Sequence, residues 1–236
     1  MSLYIDFHIL QTVPPSCINR DDTGSPKTAI FGGVQRLRIS SQAWKHAIRK
    51  KFSTASAPEQ NGTRTRYSAE LIAENMLSLN PSGDLQEYRQ KAIEALKMVG
   101  IVPEADGTKS RTFFFISPMQ AHDFAEIILN ESLKEKTAKQ QLMSALKENM
   151  SVDIALFGRM TASEPVLNCT ASAQIAHALS THAIQMEFDY FTAIDDYQQS
   201  HNGAGFLGTS EFSSATFYRY ANLNITQLQQ NLSTTD

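Results

Sequence analysis

Ile30–Phe52 reads IFGGVQRLRISSQAWKHAIRKKF, and the succession of residue types in it sets the fold of the first part of the chain. Gly32 and Gly33 mark a turn. The next residues alternate, with Arg36 and Arg38 on one face of a short strand and Leu37 and Ile39 on the other. Ser40 is placed to cap the helix that follows, its hydroxyl accepting from one of the first helical amides. Trp44, Ala47, Ile48 and Phe52 recur at helical spacing and predict a buried stripe, while Gln42, Lys45 and Arg49 form a separate polar face.

No Asp or Glu occurs between Asp22 and Glu59, yet this interval holds Lys27, Arg36, Arg38, Lys45, Arg49, Lys50 and Lys51. Free amides and two serines at a helix N-terminus, followed by basic residues at helical spacing, suit a phosphate backbone. A solvated basic face is the ordinary alternative. Solvated surfaces mix the signs of charge, so the absence of acids favours phosphate.

Working outward, 236 residues with 42% hydrophobic and 19% charged side chains argue against wholesale disorder and leave room for one sizeable domain or two small ones. The formal net charge of -3 would by itself argue against nucleic acid. Its distribution argues otherwise, because the charge is segregated: Met160 to Tyr218 contains acids but no Lys or Arg. Cys17 and Cys169 are too few for a disulfide framework and lack metal-ligand spacing, which predicts reduced thiols in a cytoplasmic protein. No apolar run approaches a membrane span, and MSLYIDFHIL alternates like a strand rather than reading as a signal peptide.

Leu3, Ile5, Phe7 and Ile9 alternate with polar residues and predict a half-buried strand that Pro14-Pro15 ends. SCINRDDTGSPKTAI is a turn-rich loop exposing Arg20, Asp21, Asp22 and Lys27. The two neighbouring acids read as turn or cap residues rather than a metal site or a base. Residues 53–66 form a connector. Helices are expected over Ser68–Leu79, from the Asp84/Glu87 capping box to about Val99, from Ser117-Pro118 onward, and over Lys134–Met150 with Leu142, Ala145 and Leu146 inward. Thr112–Ser117 has the length of a buried strand, with a helical segment as the alternative.

Val152–Phe157 reads as a short apolar strand closed by Gly158, Arg159 and Met160. Ala173–Ala183 fits a strand or an amphipathic helix, with His177 and His182 packed or hydrogen-bonded rather than ligating. Phe188–Ile194 and Ser213–Leu223 resemble the arms of a hairpin around QQSHNGAG. Phe191, Phe206 and Leu207, taken singly, read as its core. Asn224 with Gln227 caps a last short helix. There is no phosphate-binding or dinucleotide-binding glycine loop, no nucleophile elbow and no Cys/His cluster, so no catalytic residue, metal or cofactor is expected.

SCINRDD, AIFGGVQRLRISSQAWKHAIRK, VDIALFGRM, AQIAHALSTH, FTAIDD and LGTSEFSSATFYRYANLN, in this order, resemble the Cascade backbone subunit of type I-E CRISPR systems, CasC of the Cas-seven family. The resemblance covers about residues 1–50 and 151–232. It implies an α+β, hand-shaped protein with an RRM-like (ferredoxin-like) palm, helical fingers and a β-hairpin thumb. The implied division is 1–52 palm, 53–150 fingers, 151–183 palm, 184–217 thumb and 218–236 palm. Family members continue well beyond Asp236, so the palm is expected to be incomplete, in a fragment, a truncated homologue or a chain completed by a partner.

The resemblance further implies a non-enzymatic, cytoplasmic antiviral protein that binds CRISPR RNA, reaches target DNA through that guide, stacks head to tail with copies of itself and joins other Cascade subunits. Positions matching the family's guide contacts are Arg20, Lys27, Ser40, Gln42, Lys45 and Arg49, with Met160 as an apolar wedge and Phe191 and Leu207 near a displaced base. Arg49 stands where the family has lysine. Two alternatives are a ribonuclease using Asp21 or Asp22, as in related type III subunits, and a truncated homologue that binds no RNA.

A basic patch on one copy meeting an acidic patch on the next is a heterologous contact, which propagates rather than closing. Each exposed ion pair contributes only about 0–1 kcal/mol, so RNA bridging the copies should dominate assembly. Light scattering is expected to find a small species without RNA and a length-dependent, salt-weakened oligomer with it. A closed dimer indifferent to RNA would contradict that expectation.

Overall fold

The computed structural model describes residues 2–55, 61–105, 107, 109–130, 134–161, 164–193 and 206–232. They divide into two compact units. The sheet unit comprises Asp6–Ala47 and Ile175–Asn222; the helical unit comprises Met1–Ile5, Ile48–Gln174 and Leu223–Asp236.

In the sheet unit, β1 (Tyr4–Ser16), β2 (Thr28–Phe31), β3 (Val34–Ile39), β7 (Ala178–Ser180) and β9 (Phe206–Asn224) form a sheet in the order β1-β9-β7-β3-β2. The β2–β3, β3–β7 and β7–β9 pairings are antiparallel. Phe31 pairs with Val34, leaving Gly32 and Gly33 as a two-residue turn at φ 65° and 77°. Residues with side chains rarely adopt that pair of angles, and a turn of this kind matches the strand twist. The predicted alternation in β3 holds, Leu37 and Ile39 being buried with Val13, Ala178, Ala215 and Phe217. Ala43 and Trp44, in the first part of α1 (Ser41–Ala55), pack on that cluster. The Arg219 guanidinium lies 3.7 Å from the Trp44 ring centroid.

The buried stripe expected along α1 is not found. Trp44, Ile48 and Phe52 are only half-buried, and Ala47 is exposed. The strand expected from Leu3 to Ile9 also has no buried side: Ile5, Phe7 and Ile9 are 42–46% exposed, and Val13 alone in β1 is buried. Nor do Pro14 and Pro15 end the strand, which continues to Ser16. β1 lies at the end of the sheet order, where a missing N–H need not break a ladder. The Ala173–Ala183 segment forms two short strands, β6 (Ala173–Ile175) and β7.

The helical unit is built from α2 (Ser68–Leu79), α3 (Leu85–Met98), α4 (Pro118–Leu129) and α5 (Glu135–Ala145). Ile72, Met76, Phe124, Leu142 and Leu146 pack in its core. The predicted caps at Asp84 and Ser117 are present, the latter as a reciprocal capping box with Gln120. The predicted fourth helix is shorter than Lys134–Met150. The connector contains the end of α1 and β4 (Thr63–Thr65), paired with β5 (Phe114–Ile116). The last short helix, α7 (Ile225–Leu232), is capped by Asn224, which accepts from Gln227 N at 3.0 Å.

Val152–Phe157 is a helix, α6, and not the expected strand. Ser151 precedes it in extended conformation, Asp153 occupies its first turn, and Gly158 ends it at φ 78°. A side chain at Gly158 would put a Cβ 2.7 Å from Cys169 O. The Asp153 carboxylate is 1% exposed and accepts from Ser151 Oγ (2.7 Å), Gly62 N (2.8 Å), Ile154 N (3.1 Å) and Arg49 Nε (2.9 Å). Removing the acid leaves Arg49 and the Gly62 amide without this partner, so Asp153→Ala should lower unfolding free energy in urea by about 3 kcal/mol. A loss below about 0.5 kcal/mol, the range of ordinary surface substitutions, would show that the pair does not hold this unit together.

Candidate nucleic-acid interface

Asn19 connects the basic loop to the start of α1. Its backbone oxygen accepts from Lys27 N at 2.8 Å, and its side-chain oxygen accepts from Ser40 N at 2.9 Å. The loop between them is closed on itself. Asp21 Oδ1 accepts from Thr23 N, Thr23 Oγ1 and Ser25 N at 2.7–3.1 Å, and Arg20 Nη1 donates to Gly24 O at 2.6 Å. Those bonds, the Thr23 hydroxyl first, hold the Asp21 carboxyl below its ordinary range. Asp21 thus acts as the turn-forming residue its position predicted, and Asp22 is exposed beside it.

Ser40 caps α1 as expected, accepting from Ala43 N at 3.3 Å, and is itself buried. Among the described residues the amides of Ser41 and Gln42 find no protein acceptor. Such amides carry the positive end of the helix dipole. Gln42 is exposed and Lys45 half-buried. The structure therefore gathers Arg20, Lys27, Ser40, Gln42 and Lys45 around one loop–helix junction. Asn19, which makes that gathering possible, was not singled out in the sequence; its place before Arg20 in a turn-rich loop was the available signal.

Arg49 is placed differently. Besides Asp153, it donates from Nη2 to Gly62 O at 3.1 Å, and its Cζ lies 4.3 Å from the Phe115 ring centroid. Its guanidinium is already engaged within the helical unit. Met160 in the same unit is 85% exposed. Its neighbour Arg159 is 4% exposed and donates to the carbonyls of Leu167 (3.1 Å), Phe115 (3.3 Å) and Leu146. Burial pulls this guanidinium down to about 10, which leaves it charged at neutral pH. Arg159 was also overlooked, since nothing in its sequence marks it as buried.

The hairpin is real, but its second arm begins earlier than expected. β8 (Glu187–Ala193) pairs with Phe206–Phe212, and the rest of β9 belongs to the sheet; QQSHNGAG lies outside the described residues. Its large apolar side chains do not form a core: Phe188, Tyr190, Phe191, Phe206 and Leu207 are 43–66% exposed. Phe191 pairs with Gly208 and its ring lies 6.0 Å from that of Phe206. Leu207 pairs with Thr192, and side chains alternate along a strand, so Leu207 is on the opposite face of the ribbon from Phe191. The structure does not bring these two residues together.

The chain is thus a mixed α+β protein with an antiparallel sheet, a capped basic helix and an exposed apolar ribbon. It is similar to a chain of a "CRISPR RNA-guided surveillance complex, pre-nicking", with a TM-score of 0.80 and 31% identity over 97% of its own length. A chain of a second "CRISPR RNA-guided surveillance complex" gives a TM-score of 0.68 and 25% identity over the same share. This chain spans 66% of the length of each. No curated protein matches. The chain belongs to the family described as CT1975-like protein, whose model matches residues 5–236, in agreement with the resemblance to Cas-seven backbone subunits.

The ribbon geometry depends on Gly208, where an added Cβ would approach Phe191 Cζ to 2.4 Å. In NMR spectra the Gly208 Hα resonances should be shifted upfield by the Phe191 ring current. Gly208→Ala should abolish that shift; an unshifted Gly208 in the native protein would mean the ring does not cover it.

Proposed function

We propose that this chain is a non-catalytic backbone subunit of a CRISPR surveillance complex that grips guide RNA in the cytoplasm. The observation that carries the reading is the loop–helix junction. Arg20, Lys27 and Lys45 surround a helix start whose Ser41 and Gln42 amides have no acceptor among the described residues. Phosphate oxygens are the complementary ligand, and a backbone gripped this way leaves base edges free. The guide then presents those edges to target DNA.

In this reading the sheet is an RRM-like palm, the helices α2 to α5 are fingers, and the β8–β9 ribbon is a thumb. Ser40 contributes by holding the helix start in place. Arg49 contributes mainly by anchoring, because Nε and Nη2 are already used. Met160 is a flexible apolar wedge beside the RNA, held out by its buried neighbour Arg159. Only one of Phe191 and Leu207 faces a given displaced base. Further copies stack head to tail, and other Cascade-type subunits complete the particle. Among the described residues no helix is long and apolar enough to cross a membrane, which accords with this reading.

Lys45→Ala tests the reading. RNA affinity should fall about equally for all sequences, and the log–log salt slope should shrink in magnitude by roughly 0.7, the value per single-strand phosphate contact. An unchanged slope would remove Lys45 from the interface.

A further inference from the structure

The sheet unit has a second face. Leu37, Ile39, Ala178, Ala215 and Phe217 point into the core beneath α1, so the alternate residues point away from it. On that far side lies an open cavity of about 740 Å³, lined by His8, Phe31, Arg36, His177, Tyr218 and Tyr220 among others. Its size is within the roughly 300–1,000 Å³ typical of ligand clefts.

Chemistry is segregated within the cavity. At one end the His8 ring lies 5.2 Å from that of Tyr220 and 6.2 Å from that of Tyr218, and His8 Nδ1 is 2.8 Å from the Tyr218 hydroxyl. At the other end Arg36 donates from Nη1 to Ser180 O (2.7 Å) and from Nε to Phe31 O (2.9 Å), which fixes the guanidinium but does not neutralise it. Arg38 Nη1 lies 3.2 Å from His177 Nδ1. A guanidinium nitrogen only donates, so Nδ1 accepts and the neutral ring carries its proton on Nε2. Among the described residues neither arginine meets a carboxylate. The acid on this face, Asp6, is beyond Tyr220 and accepts from Tyr220 Oη (2.7 Å) and Asn222 Nδ2 (2.8 Å). The negative charge thus sits at the ring end and the positive charge at the Arg36 end.

We infer that this concave face is a second polynucleotide site, which takes one unpaired nucleotide of a single-stranded RNA, with its base against Tyr218 and His8 and its phosphate at Arg36. Every base has a π-face to offer such rings, and a guanidinium without a counter-ion suits phosphate. Between the two ends the Thr181 hydroxyl donates to Thr216 O at 3.1 Å. Its lone pairs are left to accept from a ribose 2′-hydroxyl, a donor that DNA lacks. The site rests on the reading of the chain as an RNA-binding protein, but uses residues on the opposite side of the sheet from Ala43 and Trp44.

The full chain, irradiated with an iodouracil-substituted oligouridylate, should crosslink at Tyr218 or Tyr220, and the DNA of matching sequence should crosslink less. Tyr218→Leu, which keeps bulk but removes the ring, should weaken RNA binding about tenfold, while Tyr218→Phe stays within about twofold. Urea unfolding of both variants controls for folding. Crosslinks confined to other segments, or Tyr218→Leu binding as tightly as the native chain, would overturn the site. Equal crosslinking of DNA would overturn its assignment to RNA. If the salt slope still responds to Lys45→Ala in either case, the proposed function stands and only this site falls. A native chain that binds no RNA removes both.

Discussion

Asp153 brings four donors onto one carboxylate that has almost no access to water. Two come from its own helix start, Ser151 Oγ and Ile154 N; the others are Gly62 N and Arg49 Nε from earlier in the chain. A charge in such a place is tolerated only when paired and fully hydrogen-bonded. The constraint therefore works in both directions: α6 must start where it does, and the C-terminal half of α1 must direct Arg49 to it. The Phe115 ring packed against the same guanidinium ties the β4–β5 pair to this arrangement.

The buried cation Arg159 is managed without any acid. Arg159 is enclosed by carbonyl oxygens of Phe115, Leu146 and Leu167, with Gln120 Oε1 at 3.3 Å. Backbone carbonyls at strand and helix ends have unused lone pairs, and a planar fork of five N–H groups can reach several of them at once. The consequence falls on the next residue. With Arg159 held inward and paired to Cys169 through their backbones, Met160 is left almost wholly in solvent. Met160 therefore takes no part in packing this unit.

The sheet unit separates its charge by element. Arg36 and Arg38 project from β3 away from the core, whereas the ribbon formed by β8 and the start of β9 carries Glu187, Asp189 and Glu211 and no cation. Apolar groups on the ribbon are exposed on both of its faces. A polyanion meeting this unit would find cations on β3 and around the basic loop, and rings, aliphatic groups and acids along the ribbon.

Local chemistry made much of this legible from the sequence. The glycine turn, the alternation in β3, the caps at Ser40, Asp84, Ser117 and Asn224, and the turn role of Asp21 all depend on residues within a few positions of one another, so the sequence contains both partners. Part of the basic junction was legible in the same way, since Lys27, Ser40, Gln42 and Lys45 share one acid-free interval, whereas Arg20 lies outside it beside two acids. What failed were inferences about the surroundings. Val152–Phe157 is apolar enough for a strand or a helix, and the Arg49 guanidinium 104 residues away, which together with Gly62 donates to its Asp153 carboxylate, goes with the helix. Whether Leu3 to Ile9 is covered, whether Phe191 and Leu207 share a face, and where the Arg49 guanidinium goes depend on register and on distant neighbours. The sequence by itself determined the local elements and the sign of their charge; tertiary structure alone decided which groups are buried, which are paired and which remain for a ligand, because burial is a property of what lies across space and not of what lies next in the chain.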